Sequence, residues 1–327
     1  MDAYITHRVS LLIPVYRGEK TLPSLIDEII PLTHKQITPA GNHFVICEVL
    51  LSHDCGPDQS DRVIESLVDR YAFVRAIWLS RNFGQHAAIL AGMASATGDW
   101  VVTVDEDGQQ APEDIGRMLD CALADSLQLV YAQPTNQPPH GWLRNTLSRT
   151  VKTLATKLLG DSAIGRFNSF RLIDGEISRN LAAYCGSGVY LDMALFWITG
   201  RVGHCPVELR SELDRPSGYS YIKLLSHFWH LLLTTGTRPL RFITLMGIGS
   251  IALAASIAGY ALYAKYFSQV PVQGWTSLVI VVSFFSGSIL TALGIIAEYL
   301  AVTTSILMGK PLYVVTTKPT RSPLQKS

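Results

Sequence analysis

The first hundred residues alternate short apolar runs with segments in which apolar residues recur at helical spacing. Four runs are typical of β-strands: Val9–Tyr16, His43–Ser52, Phe73–Ser80 and Trp100–Asp105. Between them, Thr21–Ile30 and Ser60–Tyr71 have the spacing of helices, and Thr21 is a candidate N-cap of the first. Continuous apolar strands that alternate with helices predict an α/β domain whose parallel sheet is covered on both faces.

Three of these strands lead into residues that can bind a ligand. Tyr16 and Asp105 end the first and fourth strands, and Asp54 follows the second after one further residue. In open α/β sheets, ligands bind in the crevice beyond the carboxyl ends of the strands. We therefore expect these three side chains to converge on one crevice.

The last third of the chain has a different pattern. Phe242–Ala264 contains 23 residues without a charge, and Tyr266–Ala297 contains 32 more. A helix needs about 20 apolar residues to cross a bilayer, whereas a globular helix usually has about 8–20 residues in all. A pair of buried core helices is the alternative, but the two long adjacent runs favour membrane spans over about 242–264 and 275–297.

Basic residues flank this predicted hairpin on both sides. They are Lys223, Arg238 and Arg241 before the first span, and Lys310, Lys318, Arg321 and Lys326 after the second. The connection around Ser268–Gly274 has only Lys265 at its edge. Because basic residues favour the cytoplasmic side, we expect both termini in the cytoplasm. The first ten residues also lack the apolar segment of a signal peptide.

The overall charge is nearly balanced, with 27 basic and 26 acidic residues, so it gives no indication of a nucleic-acid binder. The nine histidines show no HxxH or HExxH spacing, which disfavours a zinc site. The five cysteines form no CxxC pair, so free thiols in a reducing cytoplasm are the simplest interpretation.

The stretch VTVDEDGQQ, Val102–Gln110, ends an apolar strand on three acids. Side chains alternate along extended backbone, so Asp105 and Asp107 can point the same way while Glu106 points elsewhere. Gln109 continues the face of the two aspartates. Mg²⁺ prefers oxygen ligands and often binds through one or two carboxylates plus substrate phosphates. A metal site is one interpretation, and a solvated acidic turn is the other.

A longer block, Leu79–Ile115, resembles the central part of the family 2 glycosyltransferases. Within that family it is similar to the polyprenyl-phosphate glycosyltransferases, which include dolichol-phosphate mannose synthase and bacterial undecaprenyl-phosphate sugar transferases. Further motifs follow in the family's order: SLLIPVY at Ser10–Tyr16, WLRNTLSR at Trp142–Arg149, SFRLID at Ser169–Asp174, RPSGYSY at Arg215–Tyr221 and KPLYVV at Lys310–Val315. The resemblance therefore covers nearly the whole chain.

The resemblance implies a GT-A fold and a membrane anchor. Residues 1–235 would form a cytoplasmic catalytic domain, with an interfacial helix near 219–233. Residues 236–300 would form the two-helix transmembrane hairpin, and 301–327 a cytoplasmic tail. The protein would reside in the inner membrane as a multi-pass protein and, by the same resemblance, would assemble as a homotetramer.

The resemblance also implies a reaction. A sugar would pass, with inversion, from a nucleotide sugar to a polyprenyl phosphate such as undecaprenyl phosphate, for cell-envelope glycan or lipopolysaccharide modification. Mg²⁺ or Mn²⁺ would be the cofactor. The acceptor phosphate is already ionised near neutral pH, since a phosphomonoester's second pKa is about 6, so no strong general base is expected.

Residue roles carry over from the matching motifs. Catalysis would involve Asp105 and Asp107, and the metal would be held by Asp107 with Gln109. The residues implied in donor binding are Pro14, Tyr16, Glu19, Asp54, Asp105, Arg215 and Ser220. Arg144 and Ser148, one helical turn apart on one face, would grip the lipid phosphate. A surface salt bridge is the alternative role of Arg144.

Several positions depart from the family pattern. The opening turn is Tyr16-Arg17-Gly18 rather than Tyr-Asn-Glu, and His53 stands where the first of two acids is usual. Two basic residues often found near the phosphates are absent, after the fifth strand and at Tyr221. These losses slightly favour a non-catalytic membrane scaffold as a rival, which the intact Asp105, Asp107 and Gln109 oppose. A glycosyltransferase with another lipid acceptor is a further alternative. A processive polysaccharide synthase would normally carry a QxxRW motif, which this sequence lacks.

Overall fold

The computed structural model describes residues 5–136, 167–186, 190–210, 274–309 and 311–319, together with single positions between 247 and 263. The chain divides into two compact units. The first comprises Met1–Thr156, Asp161–Tyr219 and Pro311–Ser327, and the second comprises Lys157–Gly160 and Ser220–Lys310.

The first unit is built on a sheet that has nine strands within the described residues. The strands are β1 (Thr6–Val15), β2 (Gln36–Ile37), β3 (His43–His53), β4 (Val74–Leu79), β5 (Trp100–Thr103), β6 (Leu129–Pro134), β7 (Arg171–Asp174), β8 (Val202–Val207) and β9 (Val315–Thr316). Its helices are α1 (Leu22–Ile29), α2 (Ser60–Arg70), α3 (Gln85–Ser95), α4 (Ile115–Ala124), α5 (Gly175–Tyr184) and α6 (Leu191–Ile198).

The strand order is β8-β6-β7-β5-β1-β3-β4-β9, with β2 paired to β3. The central strands β5, β1, β3 and β4 run parallel, as the alternating strand and helix signals predict. β7 is antiparallel to both β5 and β6, and β9 is antiparallel to β4. The prediction of an α/β fold with a largely parallel sheet is confirmed. One antiparallel strand adjoins the centre on each side, and β6 and β8, beyond β7, are parallel to each other.

Helices cover both faces of the sheet, because successive strand residues point to opposite sides. On one face, Leu11, Ile13 and Val49 pack with residues of α1, α2 and α4. On the other face, Leu12 and Leu50 pack with residues of α3, α5 and α6. The sheet is therefore the middle of three layers, and a ligand can reach it at its edges.

The predicted first helix is confirmed, but its cap differs from the expectation. Thr21 occupies the N-cap position in a helical conformation and makes no side-chain capping bond. Its hydroxyl is buried without a hydrogen-bond partner. The amides of Thr21 and Leu22 instead donate to the carbonyl of Gly18, at 3.2 and 3.0 Å. The turn after β1 is thus closed by backbone bonds rather than by the threonine hydroxyl.

The segment after Pro311 completes the edge of the sheet beside β4. Val315 and Thr316 pair with Leu79 and Trp78, and the amide of Ser80 donates to the carbonyl of Val314 at 2.9 Å. The predicted tail at 301–327 therefore contains a short strand of the catalytic sheet.

In the second unit, one long helix, α7 (Trp275–Leu307), contains the second predicted span. Among the residues that the structure describes, its window Phe284–Ala301 is the one stretch long and apolar enough to cross a membrane. Leu290, Leu293 and Leu300 are all exposed. The first predicted span, about 242–264, lies mostly outside the described residues, although the single positions described within it are helical.

A buried ion pair joins the sheet to α6. The Arg171 guanidinium on β7 contacts the Asp192 carboxylate, and the two residues are only 2% and 3% exposed. The Tyr131 hydroxyl donates to the same carboxylate at 3.0 Å. Arg171 Nε also donates to the Thr103 hydroxyl, at 3.1 Å. The network ties β5, β6, β7 and α6 together directly behind the end of β5.

Candidate active site

The carboxyl ends of β5, β1 and β3 lie side by side, as expected for neighbouring parallel strands. Tyr16, Asp54 and Asp105 follow these strands at the same edge of the sheet, and their contact with one ligand stays a prediction. The loop after β3 approaches the end of β1 so closely that a Cβ at Gly56 would lie 1.7 Å from the Tyr16 carbonyl oxygen. Only glycine fits at that contact.

Asp105 is held by three neighbouring side chains. Its Oδ2 accepts hydrogen bonds from the Ser169 hydroxyl and from Gln110 Nε2, the latter at 2.9 Å. Its Oδ1 accepts from Gln85 Nε2 at 2.8 Å. Burial raises the pKa of Asp105, and the nearby Asp107 charge raises it further against the opposing hydrogen bond from Ser169. The carboxylate is thus oriented before any substrate arrives.

Glu106 binds different partners from Asp105 and Asp107. Its Oε2 accepts from the Tyr16 amide at 2.9 Å, and its Oε1 accepts from the Arg17 amide, also at 2.9 Å. The side chain therefore fastens the turn after β1 to the acidic loop after β5. These two bonds hold the turn after β1 and the loop after β5 in a fixed relative position.

Asp107 and Gln109 lie in the turn that follows. Asp107 Oδ1 accepts from the Gln109 amide at 3.1 Å, and Gly108 between them has a φ of +73°, which favours glycine. Within the described part of the chain, no ion pair neutralises Asp107, and no hydrogen bond engages the Gln109 carboxamide.

This oxygen donor set fits a hard divalent cation such as Mg²⁺ or Mn²⁺. Among the described residues, no group of three or more His, Cys, Asp or Glu could hold a metal by itself. A cation held by one carboxylate and one amide oxygen would need further ligands from water and substrate. That requirement is typical of metals that act on phosphates.

Asp54 is buried at the end of β3. Its two carboxylate oxygens accept from the amides of Phe83 and Gly84 at 2.7 and 2.8 Å. Burial raises the pKa of Asp54 to about 6, although these bonds and the Arg81 charge lower it. Asp54 therefore fixes the loop after β4 at the side of the crevice, and direct contact with a donor stays a prediction.

The other residues predicted to bind the donor differ in how far they are buried. Pro14 lies buried within β1, paired with Ser52 of β3, while Tyr16 at the end of that strand is 38% exposed. Glu19 accepts from the Gln59 amide at 3.2 Å and so braces the loop before α2. Arg144, Ser148, Arg215 and Ser220 lie outside the described residues, so their roles stay predictions.

Two exposed arginines follow strands β1 and β4 at the carboxyl ends of the parallel strands. The exposed Arg17 follows Tyr16, and its guanidinium lies 5.7 Å from the centre of the Tyr16 ring. Arg81, after β4, is also exposed and lies 4.3 Å from the centre of the Phe83 ring. Both cations therefore lie on loops that follow strands of the central sheet, β1 and β4.

Comparison with known proteins agrees with this geometry. The family model described as glycosyl transferase family 2 matches residues 10–188, more than half of the chain. This match spans the strand ends and the acidic loop described above.

Comparison with solved structures gives matches at low sequence identity. Glucosyl-3-phosphoglycerate synthase from Mycobacterium tuberculosis, in complex with Mn²⁺, UDP-glucose and phosphoglyceric acid, is 18% identical with a TM-score of 0.49, over 71% of this chain and 79% of that one. A mycobacterial protein is 18% identical with a TM-score of 0.51, over 71% and 74%. S. aureus TarS, residues 1–349 in complex with UDP-GlcNAc, is 15% identical with a TM-score of 0.47, over 70% and 66%.

Proposed function

The chain belongs to glycosyl transferase family 2 and is a glycosyltransferase; on that premise we propose that it transfers a sugar from a nucleotide sugar to a polyprenyl phosphate. The observation that carries the donor half of this proposal is the oriented acidic loop at the carboxyl ends of the parallel strands. A preformed Asp105, with Asp107 and Gln109 beside it, suits a ligand that brings both hydroxyl groups and phosphates.

The donor diphosphate would share a divalent cation with Asp107 and Gln109. Such a cation, when bound, stabilises the negative charge that develops on the leaving nucleoside diphosphate. The chain's own contribution is to hold the donor in line, and we propose that Arg17 and Arg81 add positive charge beside the diphosphate. The predicted phosphate contacts of Arg215 and Ser220 belong to the same half of the site.

The acceptor half of the proposal rests on the second unit. A 33-residue helix with exposed apolar side chains is suited to a bilayer, and a lipid phosphate is an acceptor that such an enzyme can take from the membrane. The acceptor oxygen is already anionic near neutral pH. Direct attack on the anomeric carbon would break the bond to the diphosphate and invert the sugar configuration, with oxocarbenium character as in glycoside chemistry.

Membranes that contain the protein provide the test. Radiolabelled nucleotide sugars are offered with undecaprenyl phosphate and Mn²⁺, and labelled lipid is extracted. The expected result is chloroform-soluble label that depends on both the lipid phosphate and the metal. If label were transferred only to a different lipid, the glycosyltransferase activity would stand and the proposed polyprenyl phosphate acceptor would be wrong.

Arg144→Lys tests the acceptor site. Arg144 and Ser148 are proposed to bind the lipid phosphate, for which a bidentate guanidinium is better suited than an ammonium. We expect the KM for lipid phosphate to rise and the donor KM to stay nearly constant. The loss in kcat/KM should be roughly tenfold to a hundredfold, the scale of a charge-assisted hydrogen bond. If the donor KM rose and the KM for lipid phosphate stayed normal, Arg144 would instead be assigned to the donor phosphates.

A cytoplasmic catalytic domain beside a two-helix hairpin in the inner membrane is proposed from the basic flanks of the spans. A reporter that is active only in the cytoplasm, fused after Ser327, should therefore be active. Protease added outside intact cells should reach at most the connection near Gln269–Gly274. External cleavage within residues 5–136 would contradict this topology.

A further inference from the structure

The two oxygens of the Asp105 carboxylate have different surroundings. Oδ2 is bound by Ser169 and by Gln110, and Gln110 is only 4% exposed. Oδ1 is bound by Gln85 alone among the described residues, and Gln85 is exposed at the first turn of α3. One side of the carboxylate is therefore held by a buried side chain, and the other side is bound by a side chain at the protein surface.

Both ends of the Gln110 carboxamide bind Asp105 or Ser169, and we call Gln110 and Ser169 together the anchor of Asp105. Its Nε2 donates to Asp105 Oδ2 and to the Ser169 hydroxyl, both at 2.9 Å. Its Oε1 accepts from the Asp105 amide, also at 2.9 Å. A buried amide needs partners in any case, but here each partner is Asp105 itself or the serine that also binds Asp105. Main chain and side chain of one aspartate are thus fixed together.

Ser169 connects this anchor to the sheet. It directly precedes Phe170 and β7, and its carbonyl accepts from the Thr103 hydroxyl at 2.5 Å and from Arg171 Nε at 3.3 Å. Because Thr103 is the last residue of β5, the serine is fixed relative to the strand that carries Asp105. The Oδ2 side consequently has little freedom to turn.

We propose that Gln110 and Ser169 are positioning residues that aim Oδ1 of Asp105 at the nucleotide sugar, and that Gln85 occupies Oδ1 until the donor replaces it. The inference rests on the proposed function, because it takes the donor to be a nucleotide sugar. A donor hydroxyl can supply the hydrogen bond that Gln85 gives up. Neither Gln110 nor Ser169 needs to touch the substrate.

The same substitution at two glutamines separates the two roles. Gln110→Met removes three hydrogen bonds to Asp105 and Ser169 at similar side-chain length, and Asp105 should then lose its orientation. The donor Kd is expected to rise roughly tenfold to a hundredfold, the scale of losing charge-assisted bonds. Gln85→Met removes only the competitor at Oδ1, so the donor Kd is expected to fall, by about two- to tenfold.

The binding measurement uses the full-length protein in detergent with Mn²⁺. UDP-, GDP-, dTDP- and ADP-linked sugars are screened by calorimetry on the wild type, and the tightest ligand becomes the probe. Gln128→Met is the matched control. Gln128 directly precedes β6, away from the acidic loop, and its Oε1 accepts from the Gly200 amide. Thermal unfolding checks that each variant is folded. Ser169→Ala serves as a second variant and should raise the Kd in the same direction as Gln110→Met.

A double variant distinguishes positioning from general damage. If Gln110 acts through Asp105, adding Gln110→Met to Asp105→Ala should cause no further loss of donor affinity. A further loss of tenfold or more would overturn the inference, as would a Kd for Gln110→Met equal to that of Gln128→Met. If the donor Kd rose as much for Gln85→Met as for Gln110→Met, the proposed replacement of Gln85 by the donor at Oδ1 would be wrong. A folded wild type that binds no nucleotide sugar would instead contradict the proposed function.

Discussion

Asp107→Asn is expected to lower sugar transfer by two or more orders of magnitude while the protein keeps its fold. The proposed role of the carboxylate is to hold the cation that stabilises the leaving diphosphate, and removing a principal electrostatic stabiliser typically costs about a hundredfold or more. The fold should survive because Asp107 lies in a turn beyond β5. Its one described hydrogen bond, from the Gln109 amide, can be accepted equally well by an asparagine oxygen.

The measurement is label transfer in membranes at saturating metal, with thermal unfolding of the purified variant in parallel. Asp125→Asn is a suitable control, because Asp125 is an exposed carboxylate at the end of α4. It loses the same charge without touching the crevice. Transfer by folded Asp107→Asn within a few-fold of this control would remove Asp107 from the metal site.

The central sheet could be predicted because its signals are local. Each parallel strand is a continuous apolar run, and α1 and α2 bury one face, so periodicity alone locates them. The four predicted strands differ from the observed β1, β3, β4 and β5 by no more than three residues at any end. Their parallel order then brings Tyr16, Asp54 and Asp105 to one edge.

The resemblance identifies SFRLID as a strand, and β7 confirms it, but the neighbours of such strands in the sheet could not be predicted because long-range pairing defines them. β7 inserts antiparallel between β5 and β6, although it follows them in sequence, and SFRLID alone does not indicate its neighbours. β9 has two residues, and it is a strand only because β4 lies beside it. Such pairings depend on tertiary contacts that no short window of sequence contains.

The candidate site divides in the same way. Asp105 could be predicted from its place at a strand end, since a carboxylate there meets the ligand crevice. Its anchor could not, because Ser169 lies 64 residues further along the chain. Gln110 adjoins the acidic motif, but a glutamine in a loop gives no sign that it will be buried. Likewise Glu106 was expected to point away, and only the fold reveals its bonds to the β1 turn.

The departures from the family pattern have a similar explanation. The sequence shows which basic residues are missing near the phosphates, but it does not show which other cations the fold brings there. Arg17 stands within the altered opening turn, and Arg81 leads the loop that Asp54 holds. Both arginines are exposed on loops that follow strands of the central sheet, where their charge can favour an anionic ligand.

The largest expected effect on stability is that of Asp192→Asn. Asp192 and Arg171 are both almost fully buried and contact each other. Removing one partner of a buried pair leaves an uncompensated charge and typically costs about 3–5 kcal/mol. For a catalytic domain of roughly 200 residues, about 1 kcal/mol corresponds to roughly 2–4 °C in Tm. A fall of roughly 6–20 °C is therefore expected.

Thermal unfolding of the purified protein, followed by tryptophan fluorescence, measures this fall. Asp69→Asn is the matched control, because Asp69 is exposed on α2 and its loss should change Tm by little. The pair itself is tested by a double variant, since Arg171→Met combined with Asp192→Asn removes both charges. This double variant should lose clearly less than the sum of the two single losses. Additive losses, or an Asp192→Asn protein as stable as Asp69→Asn, would show that the ion pair does not hold β7 and α6 together.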